Sequence, residues 1–142
     1  MDSQDESILS ELSLETNQKL EKFQDILSIL STISEREIES TYSSLNSLKV
    51  FENEFFTIYT IRKMIIFCEI YPFHINLYAK LAKLINNSSK IFKDTFLKHL
   101  FHRHYFAIEY AESNFVIYTL YCCVQEEIYT NEEIITYFKT IF

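Results

Sequence analysis

The sequence predicts an all-α protein of six to eight antiparallel helices, arranged as a helical bundle or a short α-solenoid-like array. Apolar residues recur at steps of three or four over most of the chain, which is the spacing of one helix face. Strict alternation of apolar and polar residues is scarce, and hairpin turn pairs such as Asn-Gly are absent. The chain has no glycine and one proline, so few positions favour an interruption of a helix.

The first predicted helix covers about residues 5–32 and carries a near-heptad apolar stripe. Ser34 and Glu37 then have the spacing of a capping box, in which the serine hydroxyl accepts from the third amide and the glutamate reaches back. A second helix is expected from there to about Lys49. The stripe of the first helix consists of Leu9, Leu12, Thr16, Leu20, Phe23, Leu27 and Leu30.

The middle of the chain predicts three further helices. A helix over about 53–70 is apolar nearly all round, which makes it the candidate for the most buried element. Pro72 ends it, because the residue before a proline is pushed away from helical ψ. The next helix spans about 74–86, and the Asn-Asn-Ser-Ser turn at 86–89 offers asparagine as a left-handed cap in place of glycine. A fifth helix runs from Ser89 to about Phe101.

The C-terminal part predicts at least two more helices. The stretch 102–112 is a weaker helix or a kinked continuation of the fifth. Ser113 caps a helix that reaches about Glu127. Thr130 and Glu133 form a second capping-box pattern, which opens a final helix over 131–140.

The length of the chain favours one domain over residues 1–142, with an acidic amphipathic helix region at 1–33 and a helical core at 34–142. The net charge of −7 comes entirely from residues 1–40, where ten acidic side chains outnumber three basic ones. Residues 80–103 instead carry six basic side chains against Asp94. Such blocks predict solvated faces of opposite sign that steer partners.

The absence of glycine excludes several motifs that bind nucleotides or carry out hydrolysis. A dinucleotide turn, a Walker-type phosphate loop, an EF-hand loop and a G-x-S-x-G elbow all need glycine at positions of positive φ or close backbone approach. No cofactor is therefore expected. The N-terminus lacks the basic and apolar regions of a signal peptide, and the longest uncharged run, Ser113–Gln125, is too short to span a bilayer. A cytoplasmic location follows by default, a nuclear one stays open, and no membrane partner is expected.

Three groups of side chains are candidates for chemistry. His99 and His102 lie at i, i+3 and would bind zinc if a third ligand approached, for instance Glu109 or Cys68. The neighbouring Lys98 and Arg103 disfavour a bound cation, and no H-E-x-x-H motif is present. The favoured interpretation is therefore that the histidines belong to a basic surface or lie at the edge of the core.

The cysteines and glutamate pairs favour structural roles. Cys122 and Cys123 diverge by about 100° on a helix, so one is expected to pack inside and the other to border a groove. Pairing with Cys68 stays geometrically open, although a reducing compartment disfavours it. The glutamates at 126/127 lie at the end of one helix, and those at 132/133 lie in the first turn of the next, where the helix dipole stabilises carboxylates. No grouping supports a catalytic residue, so the prediction is that the protein is not an enzyme.

The basic stretch 80–103 raises nucleic-acid binding as an alternative function. Its lysines alternate with Phe92, Phe96 and Phe101, a mixture found in nucleic-acid interfaces. The aromatic residues fall at helical spacing, as core residues do, and the chain is acidic overall, so a solvated helix face is the favoured interpretation.

Three short stretches support a family resemblance: a proline turn before a Tyr-x-x-Leu helix at 70–85, a Leu-Tyr helix at 110–121 and a Glu-Glu-Ile helix at 131–135. With these, the segment Arg62–Phe142 resembles the helical region that precedes ankyrin repeats in the trichomonad (parabasalid) family of ankyrin-repeat proteins. No Thr-Pro-Leu-His repeat signature follows. The resemblance implies a helical capping or interaction module and transfers no catalytic residue.

The expected function is therefore a non-catalytic protein–protein interaction or capping module with an unidentified protein partner. The alternatives are a basic nucleic-acid-binding face and a metal site at His99 and His102. The candidate interaction surface is the apolar side of the last helix, and its exposure would predict self-association. This surface consists of Ile134, Ile135, Phe138, Ile141 and Phe142.

Overall fold

The computed structural model describes the backbone of residues 3–109 and 114–141 and the side chains of residues 15–102 and 115–140. Within these ranges the chain forms seven α-helices and no strand, which confirms the all-α prediction. The helices are α1 (Ser3–Ser31), α2 (Ile38–Ser47), α3 (Glu54–Ile70), α4 (Ile75–Ser88), α5 (Phe92–Glu109), α6 (Asn114–Gln125) and α7 (Asn131–Ile141). Short 3₁₀ turns at Glu35–Glu37, Val50–Glu52 and Pro72–His74 precede α2, α3 and α4.

The helices pack in two layers that follow the order of the chain. In the odd layer α3 lies between α1 and α5, and in the even layer α4 lies between α2 and α6. The helix α7 lies beside α5, where the ring of Tyr137 stacks on that of Phe101 with centroids 5.7 Å apart. The fold is thus an array in which each helix packs on the helix two places away, as in α-solenoids.

The core lies between these layers and draws on all helices from α1 to α6. Over the side chains that the structure describes, α4 rather than α3 is the most buried helix: seven of its 14 residues are buried, against seven of 17 in α3. The prediction for α3 was wrong because apolar character all round a helix does not say how many sides are covered. Phe55 and Ile70 of α3 are 62% and 56% exposed.

The ends of the helices confirm some of the sequence signals. At Thr130 the capping box forms: the Glu133 amide donates to the threonine Oγ1 and the Thr130 amide to Glu133 Oε1, both at 3.1 Å. Pro72 ends α3 as expected, with Tyr71 outside helical geometry at φ −121° and ψ 72°. The helix α5 continues from Phe92 to Glu109, so the stretch from 102 extends the fifth helix; the predicted cap at Ser113 lies outside the described residues.

Two of the predicted ends were wrong. The box at Ser34 does not form, because the 3₁₀ turn directs the Glu37 amide to the Ser34 carbonyl at 3.1 Å instead of to the hydroxyl. The Asn86–Asn87 turn is also absent, since α4 continues through Ser88. Among the described residues, positive φ occurs at Lys49 and Glu127 instead. At Glu127 the amides of 127 and 128 donate to the carbonyls of Val124 and Cys123, the pattern of a Schellman motif.

Candidate functional site

The surface predicted on α7 is divided by the structure. Ile134 is partly buried against the core, whereas Ile135 and Phe138 are 53% and 42% exposed. Phe138 also contacts Phe101 edge to face, with ring centroids 6.1 Å apart. The side chains of Ile141 and Phe142 lie outside the described residues. Among the described side chains of the predicted surface, Ile135 and Phe138 are therefore the ones open to a partner.

The start of α7 is held to α5 by an ion pair. The Lys93 ammonium donates to Glu133 Oε2 at 2.6 Å, and this bond is the main reason that the pKa of Glu133 lies below its ordinary value. The buried Tyr129 hydroxyl also donates to the Lys93 carbonyl at 2.6 Å. The glutamates at 132 and 133 thus lie in the first turn of a helix, as expected, and Glu133 has a structural role.

A larger exposed apolar surface, which sequence reasoning missed, lies on α6 and the turn before α4. Ile117, Tyr118 and Tyr121 of α6 are 63%, 46% and 58% exposed, and Phe73 is 94% exposed. Phe73 and Tyr118 line the same shallow groove of about 540 Å³, and the ring of Tyr121 stacks on that of Tyr118 with centroids 6.3 Å apart. We call these four residues the α6 face.

The histidine pair lies in a second groove, formed where α3 packs on α5. His99 and His102 line it together with Arg62 and Lys63 of α3. The Arg62 Nε donates to His99 Nδ1 at 3.4 Å, and the pKa of His99 is lowered by partial burial and by the nearby Arg62 and Lys98. The sequence predicted the pair but not the arginine, which lies 37 residues away along the chain.

The proposed third metal ligands do not join this pair within the described part of the chain. Cys68 is buried in the core near Cys122 and Cys123, and the side chain of Glu109 lies outside the described residues. No group of three potential metal ligands occurs among the side chains that the structure describes.

All three cysteines are free thiols and are buried. Both members of the adjacent pair are buried: Cys122 is 6% exposed and Cys123 is fully buried. Burial, followed by the neighbouring Cys122 and Glu126, raises the pKa of Cys123 to about 12. Such thiols are poor nucleophiles at neutral pH.

The basic side chains of 80–102, the part of this stretch whose side chains are described, do not all share one face. Lys80 and Lys83 of α4 line a shallow depression on the even layer together with Glu35, Glu39 and Glu126. Lys93 pairs with Glu133 on the odd layer. Phe92, Phe96 and Phe101 are buried in the core, as their helical spacing indicated.

The comparisons with known proteins add no relative. No protein-family model, curated protein or solved structure matches the chain. The likeness to the trichomonad ankyrin-repeat family therefore stays a prediction. Over the part of the chain that the structure describes, no helix combines the length and the apolar character needed to cross a bilayer.

Proposed function

We propose that this protein is a non-catalytic protein-interaction module that binds through the α6 face. The observation that supports the proposal most strongly is the exposure of four large apolar side chains on one continuous surface. Aromatic side chains carry about 150–250 Å² each, so the exposed parts of Phe73, Tyr118 and Tyr121, together with that of Ile117, amount to on the order of 500 Å². A patch of this size is at the upper end of what a typical monomer exposes and is often functional.

The position of α6 in the array explains why this surface is open. One side of α6 packs on α4, which in turn packs on α2. The opposite side, which carries Ile117 and Tyr121, is covered by no other described helix. A further helix laid against this side would continue the even layer by the same packing.

The occupant that fits this face best is the α6 of a second copy of the chain. Two α6 faces of on the order of 500 Å² bury about 1,000 Å² in total, close to the lower limit of specific interfaces. An antiparallel arrangement places Glu126 and Glu127, at the C-terminal end of one α6, near the N-terminal end of the other. Carboxylates are stabilised at that end by the helix dipole.

Sedimentation equilibrium over a range of protein concentrations tests the proposal. For an interface of this size we expect a reversible monomer–dimer equilibrium with a Kd on the order of 100 μM. The double variant Ile117→Ser/Tyr121→Ser removes two exposed apolar side chains, so the Kd is expected to rise at least about tenfold. Both residues are more than half exposed, and far-UV circular dichroism checks that the variant is folded.

The matched control is Ile135→Ser/Phe138→Ser on α7, the surface that the sequence predicted. This variant is expected to dimerise like the wild type. A strictly monomeric wild type at about 1 mM, ten times the expected Kd, would refute the proposal. Loss of the dimer in the α7 variant alone would move the interface to α7.

Two parts of the sequence-based interpretation enter this proposal unchanged. A helical module with an open face suits the capping role that the likeness to ankyrin-associated regions implies. The three free thiols suit a reducing compartment, which supports a cytoplasmic location.

A further inference from the structure

A second candidate site, unconnected with the α6 face, is the groove between α3 and α5. Its volume is about 600 Å³, within the range of small-molecule sites. The basic part of its lining consists of Arg62 and Lys63 from α3 and of His99 and His102 from α5. No carboxylate lines the groove among the side chains that the structure describes.

The guanidinium of Arg62 is positioned in this groove with nitrogen donors available for an anion. Its Nε donates to His99 Nδ1 at 3.4 Å, and the two terminal nitrogens make no hydrogen bond to a side chain that the structure describes. Those nitrogens form the planar fork that binds phosphate or carboxylate oxygens in pairs. Because His99 accepts through Nδ1, its Nε2 carries the proton in the neutral ring and is also a donor.

The electrostatics of the groove favour a negative ligand. After partial burial, the largest causes of the lowered pKa of His99 are the positive charges of Arg62 and Lys98, followed by His102. Positive charge is thus crowded enough to disfavour one more proton. An anion among these groups would relieve that repulsion.

The remaining lining is apolar and aromatic. Tyr59, Ile65 and Ile66 of α3 form this part, and the Lys63 ammonium lies 5.3 Å from the centroid of the Tyr59 ring. Burial raises the pKa of Tyr59, so its hydroxyl stays a neutral donor. An inorganic ion would leave this half of the groove unused.

We propose that the α3–α5 groove binds a small organic phosphate, with the phosphate held by Arg62, Lys63, His99 and His102 and the organic group lying against Tyr59 and Ile66. The site forms from preordered helices and needs no glycine-rich loop. Such binding would be a function additional to self-association through α6.

The test is a titration followed by proton NMR of the histidine ring resonances, with three probes. Adenosine monophosphate carries both parts, inorganic phosphate carries the anion alone, and adenosine carries the organic group alone. The monophosphate is expected to shift His99 and His102 at concentrations at least about tenfold lower than either of the others. His74, on the turn before α4 and 6.0 Å from the Tyr71 ring, serves as the internal reference.

The decisive variant is Arg62→Gln, and its matched control is Arg36→Gln on the exposed turn before α2. Loss of one charge-assisted hydrogen bond is expected to weaken binding of the monophosphate about tenfold or more, whereas the control binds like the wild type. The proposal is refuted if the monophosphate binds no better than inorganic phosphate, which indicates an adventitious ion only, or if Arg36→Gln weakens binding as much as Arg62→Gln. A single-stranded RNA is titrated as a further probe. If it binds far more tightly than the monophosphate and its affinity falls steeply with salt, the proposal is refuted in favour of a nucleic-acid interface.

Discussion

Replacing Tyr78 by phenylalanine tests how the end of α1 is fixed to the core. Tyr78 lies on α4 and is 2% exposed, and its hydroxyl donates to the Leu30 carbonyl at 2.8 Å. Leu30 is in the last turn of α1, where carbonyl groups have no donor within the helix. The substitution removes one oxygen atom and leaves the ring, including its stacking on Phe67, in place.

The expected cost follows from what the lost hydroxyl leaves behind. A buried carbonyl without a donor destabilises the folded state by about 1–3 kcal/mol. Tyr129 offers a comparison, because its hydroxyl donates at 2.6 Å to the Lys93 carbonyl in the first turn of α5. That carbonyl keeps the donor that its own helix supplies, so Tyr129→Phe is expected to cost only about 0.5–1.5 kcal/mol.

Urea denaturation followed by far-UV circular dichroism measures both free energies of unfolding. Tyr121→Phe is the matched control, since its hydroxyl lies on a side chain that is 58% exposed, and it is expected to stay within about 0.5 kcal/mol of the wild type. A cost for Tyr78→Phe no larger than that of Tyr129→Phe would refute the argument. The end of α1 would then be held by packing alone.

Two further predictions concern alkaline stability and the left-handed residue after α6. Because the pKa of Cys123 rises from its ordinary value of 9.0 to about 12 on folding, its contribution to stability is complete below pH 9 and is lost as the pH rises towards 12. The free energy of unfolding is expected to fall by about 1 kcal/mol between pH 8 and pH 10 from this thiol alone. Urea denaturation at several pH values measures this fall. If Cys123→Ala loses as much free energy of unfolding between pH 8 and pH 10 as the wild type, the prediction is contradicted. Glu127 adopts φ 61°, so Glu127→Gly is expected to raise the free energy of unfolding by about 0.5–1 kcal/mol, whereas Gln125→Gly, at the last residue of α6, is expected to lower it. Thermal or urea denaturation of the pair checks this, and destabilisation by both variants would show that Glu127 is not strained.

The fold class and the order of the helices were predictable because they depend on local patterns. A step of three or four apolar residues, a proline at 72 and a Thr-x-x-Glu box at 130 act within a few residues of where they stand. Where helix ends differed from the prediction, another local hydrogen-bond pattern had displaced the expected one. At Ser34 a 3₁₀ turn took the amide that the box needed, and at Glu127 a Schellman motif formed on a residue with no intrinsic preference for positive φ.

The candidate surfaces were less predictable, because exposure depends on which helices are neighbours. The uncharged run 113–125 shows that α6 is apolar, yet Cys123 lies in the core while Tyr121, two residues earlier, faces outwards. Periodicity separates the two sides of a helix but does not say which side a neighbour covers. Likewise, Arg62 reaches His99 only because α3 and α5 pack together.

The absence of glycine limits the kind of site that this chain can build. Sites made by mobile loops commonly need positive φ, and here two non-glycine residues, Lys49 and Glu127, adopt it in the described ranges. Apart from Phe73, both candidate surfaces instead use side chains on α-helices whose positions are set by the core. Preordered residues lose little conformational entropy on binding. A small dimer interface or contacts to a single phosphate can therefore be enough for measurable affinity. The two surfaces also share no residue, and the variants Ile117→Ser/Tyr121→Ser and Arg62→Gln therefore separate self-association from ligand binding.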